Sequence, residues 1–459
     1  MESPLSLLAA SSAIARADLT PLELVVDCLS RIARFDPQVS AWVTVDAAGA
    51  LQAAELLTKE LADGKNRGPL HGIPLAIKDV VDVAGMPTRA GSSLTDAGPA
   101  AADAPVVAAL RAAGAIILGK TVTTEFACFD PPPTRNPWNL AHTPGGSSSG
   151  SAAALALAMC FGAIGSQTGG SITRPASYCG VAGCKPTFGR VSRVGVVPVS
   201  FHLDHVGPMA RTAADCAVLL SVIAGDDPRD PAASPRPRED FTRIENRAGS
   251  RPPRLGVLRP FFFERAEAEV ARLTQDALAG LAEQGVQLVE LPLPEGFDQV
   301  HAMHRRLMAS EAADYHRRRF GAPRAGYSAR LASLLDEGFA TSMADYQEAL
   351  RHQVSFAHAV ARRLAEVDAL VMPSTPTAAP ASLETTGDPQ FNTPWSHAGA
   401  PTVSIPCRLT QAGLPLSLQL VGPAWSEAQL LAAATWCEQK LEFRSVPAMM
   451  EEKGTQLIV

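Results

Sequence analysis

Between Arg135 and Arg174 run 38 residues without one Asp, Glu, Lys or Arg. Within them lie Thr143-Pro-Gly-Gly-Ser-Ser-Ser-Gly-Ser151 and Gln167-Thr168-Gly169-Gly170-Ser171. A Gly/Ser run is usually a flexible linker. This one feeds directly into the helical segment 152–158, which makes it a fixed loop at a helix N-terminus. Free backbone N–H groups and the positive end of the dipole there suit developing negative charge. In Thr168-Gly169-Gly170-Ser171, consecutive small residues can turn several N–H groups toward one oxyanion beside a serine hydroxyl. Lys78 is the third candidate. It closes the apolar run Ile73 to Ile77 and precedes Asp79. Burial disfavours the charged form of a lysine and so favours a base. The plain alternative is a structural lysine held by Asp79 or Asp82.

Three further patterns fail on context. Gly114-Ala-Ile-Ile-Leu-Gly119-Lys120-Thr121 spells a phosphate loop, but its middle is itself the strand and a helix precedes it, the reverse of what such a loop needs. Gly146-Ser147-Ser148-Ser149-Gly150 contains G-x-S-x-G, which would make Ser148 the nucleophile of an α/β-hydrolase-type esterase. That elbow requires a strand immediately before it, whereas residues 136–144 read as a loop. His202/His205 and His301/His304 have metal-like spacing without neighbouring carboxylate or thiol clusters, and read as surface or core histidines.

The elements that must position these residues alternate along the chain. Thr20-Pro21-Leu22-Glu23 is a capping box with Pro at the first helical position and predicts a helix over 21–35. Further helices are expected over 47–61, 103–113 and 265–284, and strands at 73–78, 115–118, 254–258, 369–372 and 416–421. The pattern is that of an α/β protein with a largely parallel or mixed sheet covered by helices. The most apolar stretch, 152–164, is too short to span a bilayer and reads as a buried core helix. Residues 226–253 are Pro- and charge-rich, either a domain linker or a surface excursion inside one sheet. A helical, Arg-rich stretch follows over 300–365.

The 459 residues allow about three domains as a length prior, and no internal repeat is visible. A net charge of −6 argues against a nucleic-acid or anionic-membrane partner. The eight cysteines contain no CxxC pair and suit neither a zinc site nor a disulfide framework, so they read as buried thiols in a reducing compartment. Glu2 stands where a signal peptide needs positive charge. A cytoplasmic protein is the expectation.

Lys78, the loop Gly145-Gly146-Ser147-Ser148-Ser149-Gly150 and the loop Thr168-Gly169-Gly170-Ser171 resemble the amidase signature family. Leu70-His71-Gly72-Ile73-Pro74, Asn136-Pro137-Trp138-Asn139, Gly183-Cys184-Lys185-Pro186-Thr187, Leu203-Asp204-His205-Val206-Gly207-Pro208 and Gly399-Ala400-Pro401 agree in the family's order. The similarity is strongest over 65–225. It implies one large α/β domain over 1–459, with a mixed, mostly parallel sheet sandwiched between helices, which overrides the length prior. It also implies a Lys78–Ser147–Ser171 triad with a cis peptide before Ser147. Ser171 would attack the carbonyl, Ser147 would relay its proton to neutral Lys78, and the N–H groups of Thr168, Gly169, Gly170 and Ser171 would form the oxyanion hole. Holding an unperturbed lysine (pKa ~10.4) neutral at pH 7 costs roughly 4–5 kcal/mol, so an alkaline activity optimum is expected. Neither cofactor nor metal is implied.

Two departures mark this chain. Where the family has Asp and Arg flanking the nucleophile, Gln167 and Thr173 stand, with Arg174 one step later. A neutral pairing, or a repositioned Arg174, would replace the lost ion pair. The family's glutamine-hydrolysing branch, which serves within the tRNA-dependent amidotransferase, carries a Ser/Asn-rich stretch ahead of Asn-Pro-Trp. Here the span 125–133 is short and apolar, so a free-standing hydrolase of small hydrophobic or aryl amides is expected, with ester or carbamate (urethane) cleavage open to the same machinery. Phe126, Cys128, Phe129, Gly145 and Gly146 are the expected substrate-binding residues. Arg305, Arg306, Arg317, Arg318 and Arg319 either shape the pockets or form a solvated helix face. The expected partner is a small amide or carbamate, and many hydrolases of this kind are homodimers.

Overall fold

The computed structural model describes residues 4–242, 251–321 and 326–451. Its elements in chain order begin with α1 (Leu7–Ala15), α2 (Pro21–Val39), β1 (Trp42–Val45), α3 (Ala47–Ala62), β2 (Pro74–Lys78), α4 (Pro105–Ala112), β3 (Ile116–Thr121) and α5 (Ser149–Ala156). Then come β4 (Gly162–Gln167), α6 (Thr173–Cys179), β5 (Ala182–Lys185), β6 (His205–Ala210), α7 (Ala213–Ile223), β7 (Arg254–Val257), α8 (Ala268–Glu283) and β8 (Gln287–Glu290). The chain continues through α9 (Val300–Phe320), α10 (Ala329–Ala340), α11 (Met343–Leu364), β9 (Ala369–Pro373), α12 (Thr393–His397), β10 (Thr402–Leu409), β11 (Pro415–Val421) and α13 (Glu427–Leu441).

Among the described residues, 11 strands form one mixed sheet in the order β1-β3-β2-β4-β6-β5-β10-β11-β9-β7-β8. Strands from both sides of the 226–253 excursion belong to it, and residues 243–250 of that excursion lie outside the described residues. Parallel pairing is confined to β3-β2-β4 and β9-β7-β8. The remaining neighbours run antiparallel, so the sheet is less parallel than expected. The two halves meet where β5 pairs with β10, Thr402 opposite Lys185.

The predicted capping box is present at the start of α2: Thr20 accepts from the Glu23 N–H, and the Glu23 carboxylate accepts from the Thr20 N–H. The core-helix expectation for 152–164 fails. The helix stops at Ala156, Ala158 takes a left-handed φ of 52°, and β4 begins at Gly162. A strand buried on both faces is as uniformly apolar as a buried helix, so hydrophobicity cannot separate the two. No described helix is long and apolar enough to cross a membrane.

Candidate active site

Lys78 is the last residue of β2, every residue of which is buried. Strand β2 runs parallel to β3 and β4, so the carboxyl ends of all three reach one edge of the sheet, the place where open α/β sheets hold ligands. Strand β4 ends there in Ser166 and Gln167, and the chain continues through Thr168–Ser171 into α6. Topology thus brings the lysine and the second Gly/Ser loop together.

The first loop enters from the α5 side and is firmly anchored. The Asn136 side-chain amide donates to the carbonyls of Thr143 (3.0 Å) and Tyr178 (2.9 Å). Ser149 Oγ donates to the Gly145 carbonyl at 2.6 Å, and the Ser148 N–H donates to the Ser171 carbonyl at 3.2 Å. Gly145 has φ +81° and lies against Pro175, whose Cα would sit 2.9 Å from an added Cβ. The Gly146–Ser147 peptide is cis.

Lys78 Nζ, wholly buried, donates to Ser147 Oγ at 2.6 Å, to Ser166 Oγ at 2.9 Å and to the Ser166 carbonyl at 3.3 Å. Burial holds its pKa down at about 7, against the field of Asp204, which pulls it upward. The structural alternative for this lysine does not apply: Asp79 is paired at 2.8 Å with Lys120, the lysine of the phosphate-loop look-alike. Burial thus favours the neutral amine of Lys78, within hydrogen-bond distance of Ser147 Oγ.

Ser171 opens the turn into α6 and lines a cavity of about 190 Å³. Thr168, Gly169 and Gly170 line the same cavity. Their N–H groups and that of Ser171 make no bond to another backbone carbonyl among the described residues. Gly170 has no room for a side chain, since an added Cβ would lie 2.6 Å from Asn392 Oδ1. Ser148, by contrast, is fully buried and directs its Oγ to the Ser166 carbonyl at 3.4 Å. No strand precedes it, and it does not line the cavity.

The two departures from the family pattern meet each other. Gln167 Oε1 accepts from the N–H groups of Ile172 (2.7 Å) and Thr173 (3.0 Å) and from Thr173 Oγ1 (3.2 Å). Its Nε2 donates to the Gly169 carbonyl and to Ser396 Oγ, both at 3.1 Å. This is the neutral pairing. Arg174 is also redeployed: it donates to the Gly146 carbonyl at 2.7 Å, on the cis peptide, and to Thr386 Oγ1 and the Gly387 carbonyl. Gln167→Ala would leave two buried N–H groups without acceptors, at about 1–3 kcal/mol each. We expect a loss of about 2–6 kcal/mol, read as a lower urea midpoint at unchanged m-value; an unchanged midpoint would refute this role.

Of the expected substrate-binding residues, Cys128 and Phe129 line the cavity. Phe126, Gly145 and Gly146 do not. Phe126 is buried edge-on against His316, Phe320 and Tyr327, and holds the Glu125–Ala127 turn in place with φ 46°. Gly145 and Gly146 are spent on packing and on Arg174. Among the arginines, Arg305 lines the cavity, stacked over the Phe129 ring at 4.8 Å and paired with Glu337. Arg306 pairs with Glu348, and the well-exposed Arg317 and Arg318 with Asp314, forming a solvated face. His301, His304, Met308 and Asp388 also line the cavity and were not foreseen as site residues. The paired histidine spacing on α9 was the available signal, but without a neighbouring carboxylate or thiol cluster it read as surface or core histidines. Burial pushes His304 down to about 3, so it is neutral. Among the described residues, no group of three or more His, Cys, Asp or Glu is placed to hold a metal ion. All eight cysteines are free and buried.

The Amidase family model matches residues 23–431. A Roseiflexus castenholzii protein named as a glutamyl-tRNA(Gln) amidotransferase subunit is 36% identical, with 96% of this chain and 97% of that protein aligned. The peptide amidase of Stenotrophomonas maltophilia superposes with a TM-score of 0.85 at 32% identity, covering 97% of this chain and 98% of that one. A structure from a vestigial protein complex bearing on the origins of an s-triazine catabolic enzyme gives a TM-score of 0.89 at 28% identity, covering 96% and 100%.

Proposed function

Because the chain belongs to the amidase family, we propose that it is a serine amidohydrolase that cleaves the C–N bond of small amides through an acyl-enzyme on Ser171. The observation that carries the reading is the 2.6 Å contact between Lys78 Nζ and Ser147 Oγ, made by a buried lysine whose pKa is held at about 7. Ser171 Oγ attacks the carbonyl carbon while its proton passes to Ser147, and that of Ser147 to Lys78. A serine needs such a base to act as a nucleophile. The N–H groups of Thr168, Gly169, Gly170 and Ser171 receive the oxyanion, an interaction typically worth ~3–4 kcal/mol per donor. Collapse breaks the C–N bond, and Ser147 returns a proton to the departing nitrogen. Water then attacks the ester by the same relay and frees Ser171.

Cys128, Phe129, Val199, Met308 and Pro389 give the cavity apolar walls, which support a hydrophobic or aryl acyl group. Carbamates and esters fit the same acyl transfer. A second reading, a glutamine-hydrolysing subunit of a tRNA-dependent amidotransferase, is favoured by the name of the 36%-identical relative. It is also favoured by Arg174, Arg305 and Asp388 at the cavity, charges of both signs that match those of a free amino acid.

The discriminating experiment offers the purified chain glutamine, a primary aryl amide and the matched aryl carbamate. The free-standing reading expects aryl-amide kcat/KM at least tenfold above that for glutamine, with no partner present. Glutaminase activity that appears only on adding amidotransferase partner subunits would select the second reading. Carbamate turnover below that of the matched amide would remove the urethane option.

A further inference from the structure

A second cavity, of about 210 Å³, adjoins the first. Thr168 and Val199 line both. The first cavity touches Ser171 and not Ser166; the second touches Ser166 and not Ser171. Ser166 is the residue whose Oγ lies 2.9 Å from Lys78 Nζ. The two cavities therefore meet the machinery at different points, one at the nucleophile and one beside the proton relay.

An amide separates into halves with those same two needs. Its carbonyl carbon bonds to Ser171, and its nitrogen must collect a proton from the relay. From this correspondence we infer that the second cavity receives the amine half of the substrate, and that it selects an arylamine. The inference rests on the acyl-enzyme reading. The step balances: RCONHR′ and the Ser171 hydroxyl give the Ser171 ester of RCO and neutral R′NH2, and water later releases RCO2H.

The chemistry of the walls sets the class. Val194, Val196, Val197, Pro198 and Val206 are apolar, and Phe201, 48% exposed, stands at the rim. The charges present are already engaged. Arg193 pairs with Asp230 at 3.0 Å and Arg229 with Asp227 at 2.8 Å. The Asp204 carboxylate accepts from Thr168 Oγ1 at 2.5 Å and from the N–H groups of Val199 (2.8 Å) and Ser200 (3.0 Å). An ionic amine substituent would find these carboxylates and guanidinium groups already engaged, and the unpartnered polar atom in the lining, His205 Nε2, belongs to a histidine that burial keeps neutral. An apolar cavity of roughly 150 Å³ suffices for benzene, so this one accommodates a single aromatic ring.

The test uses the full chain and two substrates sharing the acyl group that the wild type cleaves fastest, one the primary amide and one the anilide. Here kcat/KM reports the steps through C–N cleavage, where an amine site registers. Val194→Trp, which fills the cavity from a half-buried wall, is expected to lower anilide kcat/KM at least tenfold while the primary amide stays within twofold. Phe201→Ala, at the exposed rim, should lower the anilide alone by a few fold. Phe129→Ala, in the first cavity, should shift both substrates alike.

Equal effects of Val194→Trp on both substrates, no effect on the anilide, or a wild type that ignores anilides would each overturn the inference. Should Val194→Trp fail to fold, the same comparison on Phe201→Ala decides. Labelling of wild-type Ser171 by a fluorophosphonate keeps the two levels apart. Turnover without that label would sink the acyl-enzyme reading, whereas a labelled Ser171 with no amine selectivity would sink the amine site alone.

Discussion

Lys78→Met is expected to lower kcat/KM by at least about 10³-fold, within the range general-base catalysis supplies, while leaving the protein folded. In the wild type, log kcat/KM should fall with decreasing pH below a midpoint near 7, because only the neutral amine accepts the proton and burial holds its pKa there. A profile flat from pH 6 to 9 would refute the assignment. Stability carries the same signature. The folded-state pKa lies below the unfolded value of ~10.4, so between pH ~7 and ~10.4 the unfolded chain binds the extra proton and stability rises with pH. Lys78→Met removes a penalty that is full below pH 7 and gone above ~10.4, and should stabilise the protein at pH 7 by up to a few kcal/mol. Lys185, buried on β5 and also held down at about 7, keeps part of the pH dependence in the variant.

Ser171→Ala should be more damaging still. Removing the nucleophile of a comparable relay costs up to ~10⁶-fold in kcat, and fluorophosphonate labelling should vanish with it. Thermal stability should hardly change, since a small side chain at a cavity wall is lost. The double variant Lys78→Met/Ser171→Ala should be no slower than Ser171→Ala alone, as residues acting as a unit are not additive. Ser148→Ala should keep the label on Ser171. A label that moves to Ser148, or survives in Ser171→Ala, would return the esterase elbow to consideration.

The end of the sheet that holds the candidate site was legible because its residues are local in sequence. The charge-free span and its two Gly/Ser loops declare themselves in 40 consecutive residues, and a lysine closing an apolar strand is conspicuous. Gln167 and Thr173 stood out as a paired loss, and their mutual hydrogen bonds follow from their side chains. That Arg174 would hold the Gly146 carbonyl did not follow, since it depends on how α6 packs against a loop 28 residues earlier. The cavity walls were less legible. Met308, His304 and Asp388 arrive from α9 and from the turn before α12, and no spacing rule connects them to residue 171. Phe126 was misread because an aromatic beside a site residue is as often a clamp as a contact. The 152–164 error has the same root, for an apolar run wholly inside a protein carries no polar punctuation.

The sheet order also bears on how the chain is made. Strand β5 ends at Lys185, and the strand that covers its open edge, β10, begins at Thr402. At about 5–20 residues per second, a ribosome takes roughly 10–40 s to supply it. Throughout that interval the nascent N-terminal half, with both of its Gly/Ser loops already synthesised, exposes an unpaired strand edge of the sort that templates aggregation. Chains interrupted before residue 402 should therefore be found in the insoluble fraction or on chaperones, and the last sixty or so residues would decide the yield of soluble enzyme.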